Sequence, residues 1–126
     1  MKFIVVDDEE VNLFITSRLL KDVLKVEEAG TYKEAGEALR FLKNYSELET
    51  VSVFLDLNMP VISGWDFLEF FSQFDDSVKS RVHIYIVSSS VDPADKSRAL
   101  RHPNVISFIS KPLTKDFIKE NFFNTT

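Results

Sequence analysis

The clearest structural signal in the chain is residues 53–64, Val53-Phe54-Leu55-Asp56-Leu57-Asn58-Met59-Pro60-Val61-Ile62-Ser63-Gly64. The stretch begins with an apolar run that ends at a carboxylate, as a buried strand does when it carries an acid at its carboxyl end. Pro60 and Ser63-Gly64 then indicate a loop, after which an amphipathic helix begins. Ligands of open α/β sheets bind just beyond the carboxyl ends of the strands, so Asp56 is placed where functional groups are expected.

Similar apolar runs occur on both sides of this stretch, and helical patterns separate them. Most of the runs are continuously apolar, which is typical of strands that are buried on both faces. Strict alternation of strands with helices predicts a (βα)5 α/β fold, a three-layer sandwich in which helices cover both faces of a parallel sheet through right-handed crossovers. We predict strands at residues 3–6, about 24–28, 51–55, 82–87 and 104–109.

Five helices are predicted from apolar periodicity and from capping residues. The spacing of Thr31 and Glu34 predicts a capping box at the start of the second helix, which reaches about Asn44. Asp92-Pro93 predicts the start of the fourth helix, at about 93–101. The third and last helices are expected at about 64–74 and 113–123. The side chains expected to turn inward are Val11, Phe14, Ile15 and Leu19 on the first helix, Phe67, Leu68 and Phe71 on the third, and Leu113, Phe117 and Ile118 on the last.

Length and composition predict one globular domain that spans residues 1–126, without a second or output domain. The net charge of −5 argues against a nucleic-acid surface, because phosphate binding needs clustered lysine and arginine. The chain has no cysteine, so it has no disulfide and no thiolate metal site. The first apolar run is too short for a signal peptide or a membrane span, and a soluble cytoplasmic protein is therefore expected.

Four of the five predicted strands end in side chains with chemistry, and parallel strands place their carboxyl ends at one edge of the sheet. The residues are Asp7-Asp8, Asp56, Ser88 and Lys111. Carboxylates that converge repel one another unless a cation joins them, and an all-oxygen cluster favours a hard ion such as Mg²⁺. A carboxylate nucleophile beside Mg²⁺, a lysine and a hydroxyl is suited to phosphoryl transfer.

These residues resemble the receiver domain of two-component response regulators, of the stand-alone type represented by the chemotaxis regulator. The resemblance covers nearly the whole chain and is carried by Val6-Asp7-Asp8-Glu9, Leu55-Asp56-Leu57-Asn58-Met59-Pro60 with Gly64, Ser88-Ser89 and Lys111-Pro112. It implies a flavodoxin-like fold with the five parallel strands in the order 2-1-3-4-5. It also implies a phosphorylatable signalling switch, which is not an enzyme beyond its own phosphorylation and dephosphorylation.

The resemblance assigns a role to each site residue. Asp56 would accept a phosphoryl group from a histidine kinase or a phosphotransfer protein, while Ser88 would hydrogen-bond that group and Lys111 would pair with it. The residues that would hold Mg²⁺, for which Mn²⁺ or Ca²⁺ can substitute, are Asp7, Asp8, Asp56 and the backbone carbonyl of Asn58. A cis peptide bond is implied before Pro112.

The resemblance also implies how the signal leaves the site. Ser88 would move inward and let Phe108 rotate, so that the face formed by the fourth helix, the fifth strand and the last helix changes shape. The implied partners are the phosphodonor and an unknown downstream protein, with neither nucleic acid nor membrane, and the chain would be a monomer or a weak dimer through that face. Ser88 replaces the commoner threonine, and Phe108 lacks the phenol found in many relatives.

Two other functions share features of this chain, and the residues argue against each of them. A Mg²⁺-dependent phosphatase of the haloacid-dehalogenase type also uses aspartates, a hydroxyl and a lysine, although its nucleophile follows the first strand. A flavodoxin-like cofactor binder would share the architecture but needs a glycine- or hydroxyl-rich phosphate loop after strand one. Locally, Asp7-Asp8 could be first-turn acids of a helix, and Lys111 a solvated charge. Trp65, Phe70 and Phe123 lie under loops or form an apolar patch for a partner.

Overall fold

The computed structural model describes residues 2–26 and 29–122, and its centre is a parallel sheet of five strands. The strands lie in the order β2-β1-β3-β4-β5, as predicted. Their bounds are Lys2–Val6 for β1, Gly30–Tyr32 for β2, Val51–Leu55 for β3, Val82–Ser88 for β4 and Val105–Ser110 for β5. Val6 is in register with Leu55 and Leu55 with Ile86, so the carboxyl ends of β1, β3 and β4 lie side by side.

Six helices accompany the strands in the described part of the chain, five between strands and one after β5. Their bounds are Glu10–Leu24 for α1, Ala35–Lys43 for α2, Gly64–Ser72 for α3, Asp76–Lys79 for α4, Pro93–Leu100 for α5 and Lys115–Phe122 for α6. The short α4 was not predicted, since one turn is too short for a periodic apolar pattern to stand out. The fourth and last predicted helices therefore correspond to α5 and α6. Asp92 caps α5, since its side chain accepts a hydrogen bond of 2.9 Å from the Ala94 amide.

Two hydrophobic clusters cover the two faces of the sheet, which confirms the three-layer architecture. Alternate residues of β1 face opposite clusters, with Ile4 and Val6 on one side and Phe3 and Val5 on the other. The first cluster includes α2, α3 and Ala99 of α5, and the second includes α1 and α6. All five residues of β3 are buried, as its largely apolar sequence predicted. The inward residues predicted for α3 are buried, as are Leu113 and Ile118, and Phe117 is half-buried.

The predicted second strand and the start of the second helix are wrong. α1 continues through Leu24 and ends at Lys25, which has a left-handed backbone with φ 59°. The strand lies later, at Gly30–Tyr32, so Thr31 belongs to β2 and does not cap α2. Glu34 precedes α2 without a side-chain capping bond. Thr31 and Tyr32 suit a strand as well as a helix start, and pairing of β2 with β1 lets the strand prevail over the capping-box spacing. Residues 27 and 28 of the predicted strand lie outside the described residues.

The inward face predicted for α1 is also wrong. The exposed fractions of Val11, Phe14 and Ile15 are 67%, 64% and 54%, and Leu19 is half-buried. The buried residues of the helix are Leu13, Ser17, Leu20 and Val23. Leu13 begins a stripe that later turns of the helix continue, whereas the predicted face is apolar mainly in the first turns. The longer stripe buries more apolar surface and therefore determines which way the helix is turned.

The aromatic residues of α3 differ in their surroundings. Trp65 is half-buried against the core, and the Arg98 guanidinium lies 4.1 Å from the centre of its ring. Phe70 is 54% exposed. Phe123 lies outside the described residues. Along residues 2–26 and 29–122, each helix falls short of the length and apolar character that a bilayer-spanning segment requires.

We expect replacement of Val61 by Asn to stabilise the fold. Val61 has φ 66° in the loop between β3 and α3, and its side chain is 100% exposed. A β-branched side chain is strained in this region, whereas Asn adopts it readily, so the expected gain in the free energy of unfolding is about 1 kcal/mol. Urea unfolding measures this gain. Val91→Asn is the matched control, because Val91 is 95% exposed without a positive φ. Equal effects of the two substitutions would contradict the strain argument.

Candidate functional site

The acidic residues that follow β1 and β3 lie together at the carboxyl edge of the sheet. Asp7 and Asp56 follow paired residues of neighbouring strands, and the Asp56 amide donates a 3.0 Å hydrogen bond to the Val6 carbonyl oxygen. Both residues are buried, with exposed fractions of 5% and 4%. Asp7, Asp8 and Asp56 each offer a carboxylate oxygen, and these oxygens all lie within 4.8 Å of one another. The predicted convergence of the acids is therefore observed.

Lys111 brings a positive charge to the same acids from the end of β5. Its Nζ atom lies 3.3 Å from Asp7 Oδ2 and 3.5 Å from Asp56 Oδ1. The Lys111 amide donates a 2.9 Å hydrogen bond to the Ser88 carbonyl oxygen, which holds the end of β5 beside β4. The peptide bond between Lys111 and Pro112 is cis, as the resemblance implied. Lys111 is thus part of the site and not a solvated charge ahead of a turn.

Ser88 and Phe108 occupy neighbouring strands near this edge. Ser88 is the last residue of β4 and is fully buried, and its Oγ accepts a 3.0 Å hydrogen bond from the Ser90 amide. Phe108 is in register with Ile86, two residues before Ser88, and packs half-buried against the first hydrophobic cluster. The two residues assigned to the switch therefore belong to adjacent strands.

Asn58 and Gly64 shape the loop that carries Asp56. The backbone amide of Asn58 lies 3.4 Å from Asp56 Oδ1, to which it donates, while the Asn58 side chain is exposed. Gly64 approaches the backbone so closely that a Cβ atom would lie 2.5 Å from the Asp56 carbonyl oxygen and 2.6 Å from Leu57 Cα. Its amide donates a 2.9 Å hydrogen bond to the Leu57 carbonyl oxygen. A side chain at position 64 would push this loop away from the end of β3, so glycine keeps Asp56 in place.

Burial and neighbouring charges change the proton affinities of the site. Burial raises the pKa of Asp56 above its ordinary value, and the negative charge of Asp7 raises it further, although Lys111 and the Asn58 amide oppose the shift. Burial disfavours the charged form of Lys111, but the charges of Asp56 and Asp7 and hydrogen bonds to them outweigh burial and raise the Lys111 pKa. The site therefore holds a charged lysine beside a carboxylate whose ionisation is costly.

The donor set of this site fits a hard divalent cation. Three carboxylates supply only oxygen ligands, and two of them are largely withdrawn from water. A single ammonium group at 3.3–3.5 Å carries one positive charge against three carboxylates, and the charge of Asp7, after burial, still contributes to the raised pKa of Asp56. A cation bound among them would remove this repulsion, as the sequence argument for Mg²⁺ requires.

Comparison with known sequence families identifies the kind of site that these residues form. The sequence profile described as response regulator receiver domain matches residues 3–122. The chain belongs to the response regulator receiver domain family. Receiver domains of two-component systems are signalling switches that are phosphorylated on an aspartate, bind Mg²⁺ at a cluster of acidic residues, take phosphate from histidine kinases and signal to downstream partners.

Solved structures agree with this assignment. A response regulator receiver protein from Dyadobacter fermentans is 29% identical, with a TM-score of 0.84 over 95% of this receiver domain and 96% of that chain. A two-component response regulator from Cytophaga hutchinsonii is 26% identical, with a TM-score of 0.82 over 94% and 91%. A response regulator from Burkholderia pseudomallei, solved with a phosphorylated aspartic acid, calcium ion and citrate, is 19% identical, with a TM-score of 0.68 over 93% and 63%. Comparison with curated protein sequences gives no significant match.

Some features of the site were missed by the sequence argument. The contact of the Asn58 amide with Asp56 and the hydrogen bond from the Glu9 amide to Asp7 Oδ1, at 3.0 Å, depend on the local path of the loops. The hydrogen bond of Ser90 with Asp95, at 2.6 Å, joins residues whose spacing matches many unrelated loop-helix junctions. Gly64 was noted for its place in the motif, but its contact with the Asp56 carbonyl is visible only in the structure.

Proposed function

We propose that Asp56 is the residue that accepts the phosphoryl group, from a phosphohistidine of a histidine kinase or a phosphotransfer protein. The observation that carries this proposal is the position of the Lys111 amine, 3.5 Å from Asp56 Oδ1 and 3.3 Å from Asp7 Oδ2. The phosphorylated aspartic acid of the Burkholderia pseudomallei relative supports it. A donor whose phosphohistidine is made from ATP also favours a cytoplasmic location for the switch.

In this proposal each side chain has a defined task. An Asp56 carboxylate oxygen attacks phosphorus, the new O–P bond forms as the N–P bond of the donor histidine breaks, and the electron pair returns to the imidazole ring. Lys111 pairs with a phosphoryl oxygen, which offsets the charge gathered beside Asp7. The Ser88 hydroxyl donates a hydrogen bond to another phosphoryl oxygen. The same groups serve the hydrolytic step, in which water attacks phosphorus, the O–P bond to Asp56 breaks, and inorganic phosphate leaves as the carboxylate is restored.

Mg²⁺ is the cation we propose for the acidic cluster, with Mn²⁺ or Ca²⁺ as substitutes. Asp7, Asp8 and Asp56 would hold it together with the backbone carbonyl of Asn58. When bound, the ion neutralises carboxylate and phosphoryl charge. The calcium ion of the Burkholderia pseudomallei structure supports a divalent site in a relative of the same fold.

We expect Mg²⁺ to stabilise the protein at neutral pH more than at acidic pH. The folded state raises the pKa of Asp56, so the stability that protonated Asp56 contributes is complete below its unfolded pKa and is lost as pH rises through its folded pKa. Above that range the ionised Asp56 carboxylate lowers the stability of the folded state, and a bound cation offsets this loss. At tenfold its dissociation constant, Mg²⁺ should add about 1.4 kcal/mol, or a rise of about 3–6 °C in Tm.

Thermal unfolding in EDTA and in millimolar Mg²⁺, across acidic to neutral pH, measures this effect. Asp56→Asn is the control, because the amide removes the carboxylate charge. We expect this variant to exceed the wild type in Tm in EDTA at neutral pH and to gain less from Mg²⁺. A wild-type Tm that does not respond to millimolar Mg²⁺ at neutral pH would count against the metal site.

We propose that phosphorylation acts on the face formed by α5, β5 and α6. Its elements carry partly exposed apolar side chains, with Leu100 at 44% and Ile106 at 48%, and half-buried Phe108 and Phe117. Apolar groups at this exposure suit a contact with a downstream protein or a weak dimer. The net charge of −5 disfavours a direct nucleic-acid partner.

Incubation of the chain with Mg²⁺ and acetyl phosphate tests the proposed function. We expect one phosphoryl group per chain by intact-mass measurement, and its slow loss as inorganic phosphate. A phosphatase would instead release many equivalents of phosphate from the donor, and a cofactor binder would not react. Each of those two outcomes would replace the switch by the corresponding alternative.

A further inference from the structure

A chain of hydrogen bonds leads from the buried hydroxyl of Ser88 to the first turn of α5. The Ser90 amide donates to Ser88 Oγ at 3.0 Å, and the Ser90 hydroxyl donates to Asp95 Oδ2 at 2.6 Å. The Asp92 amide donates to Ser90 Oγ at 3.3 Å. Asp95 lies in the first turn of α5, and its amide donates to the Asp92 carbonyl oxygen at 3.1 Å. One serine therefore binds both the hydroxyl assigned to the switch and the start of the helix.

The central link of this chain has the features of a strong hydrogen bond. A hydroxyl that donates to an ionised carboxylate at 2.6 Å makes a short, charge-assisted bond. Ser90 and Asp95 are both half-buried, so water competes less for them than at a fully exposed pair. The bond thus fixes the loop of residues 89–92 to α5.

Further along α5, Arg98 and Ala99 contact α3 and the first hydrophobic cluster. Ala99 is fully buried in the first hydrophobic cluster, and the Arg98 guanidinium stacks over the Trp65 ring. Trp65 directly follows Gly64, whose backbone lies against the end of β3. Among the described residues, α5 is therefore connected to the Asp56 region through Ser90 and through Arg98 with Trp65, and the route through Ser90 reaches the Ser88 hydroxyl.

We propose that Asp95 is a positioning residue that couples the state of Asp56 to α5 through Ser90 and Ser88. This inference rests on the proposed function of Asp56. A Ser88 hydroxyl that accepts from the Ser90 amide still has its own proton to donate to a phosphoryl group. When Ser88 moves toward that group, it either draws the Ser90 amide with it or releases it. In both cases the backbone of Ser90 shifts, and the bond to Asp95 passes the shift to α5.

The test compares Asp95→Ala and Ser90→Ala with the wild type, before and after reaction with acetyl phosphate and Mg²⁺. Intact mass gives the fraction phosphorylated. Hydrogen exchange of the amides in residues 93–100 reports on α5, and the fluorescence of Trp65, the single tryptophan of the chain, reports on its contact with α3. We expect both variants to be phosphorylated, while the change in α5 exchange on phosphorylation falls about fivefold, the scale of an ordinary coupling between sites.

Two further variants separate coupling from a local stabilising role. Asp92→Ala removes the side-chain cap of α5 but keeps the Ser90–Asp95 bond, so we expect a lower Tm with the response of α5 retained. Asp95→Asn keeps an oxygen that accepts from Ser90 and should restore much of the response. If Asp92→Ala also loses the response, the Ser90–Asp95 bond serves only to stabilise the start of α5, and the proposal is overturned.

The remaining outcomes are also decisive. A response of α5 that is unchanged in both Asp95→Ala and Ser90→Ala would refute the coupling. So would a wild-type protein that is phosphorylated without any change in α5 exchange or in Trp65 fluorescence. Failure of the wild type to accept the phosphoryl group would instead reject the proposed function. If Asp95→Ala does not fold, Ser90→Ala breaks the same bond without altering the helix.

Discussion

Replacement of Asp56 by Asn is expected to abolish phosphorylation of the chain and to leave its fold intact. The amide has almost the same shape as the carboxylate but lacks the anionic oxygen that attacks phosphorus, so labelling by acetyl phosphate should fall by at least about 10³-fold. The substitution also removes a buried charge beside Asp7, whose repulsion contributes to the raised pKa of Asp56. Intact-mass analysis measures the label, and thermal unfolding tests the fold.

Asp116→Asn is the matched control for this experiment. Asp116 lies in the first turn of α6 and is exposed, away from the cluster of carboxylates. We expect this variant to accept the phosphoryl group like the wild type. Label retained on Asp56→Asn would move the acceptor to another residue, and the natural candidates would then be Asp7 and Asp8, whose oxygens lie within 4.8 Å of Asp56.

The parts of the fold that could be predicted are those with no competing pattern. β3 is apolar at four of its five positions and is followed by loop residues, so its bounds and its burial were both evident. Asp92-Pro93 likewise predicts only the start of a helix, and the structure confirms this prediction. In such places local preference and tertiary packing favour the same structure.

The errors lie where two patterns compete and only packing decides between them. Apolar residues occur on two faces of α1, and the face of Leu13 and Leu20 prevails because it continues further along the helix. Thr31 suits both a helix cap and a strand, and pairing of β2 with β1 decides for the strand, with Val5 opposite Thr31. Neither outcome is contained in the local residues, since each depends on what the rest of the chain offers as a partner.

The site was more predictable than the helices that surround it. Parallel strands bring their carboxyl ends to one edge whatever the details of packing, so the approach of Asp7, Asp56 and Lys111 followed from topology alone. The contacts within the connecting loops did not follow, because they depend on individual backbone angles. The coupling of Ser90 to Asp95 belongs to this second kind and is visible only in coordinates.

Replacement of Lys111 by Ala is expected to have opposite effects on phosphorylation and on Mg²⁺ binding. Loss of the ammonium group removes the cation that would pair with the phosphoryl oxygens, so the rate of labelling at saturating Mg²⁺ should fall about 10²-fold. The same loss removes a positive charge that lies 3.3 Å and 3.5 Å from two of the proposed metal ligands. Mg²⁺ should then bind more tightly, by about tenfold, since it no longer competes with the lysine for Asp7 and Asp56.

General damage to the fold would not lower the labelling rate and raise the Mg²⁺ affinity at the same time. A misfolded or loosened site would lose both phosphorylation and metal affinity, whereas removal of a single competing charge lowers one and raises the other. Titration of Mg²⁺ followed by Trp65 fluorescence or calorimetry, together with the labelling rate, measures both quantities. Lys115→Ala is the control, because Lys115 is exposed in the first turn of α6 and should leave both unchanged. A Lys111→Ala protein labelled at the wild-type rate would show that the amine balances the resting carboxylates without contacting the phosphoryl group.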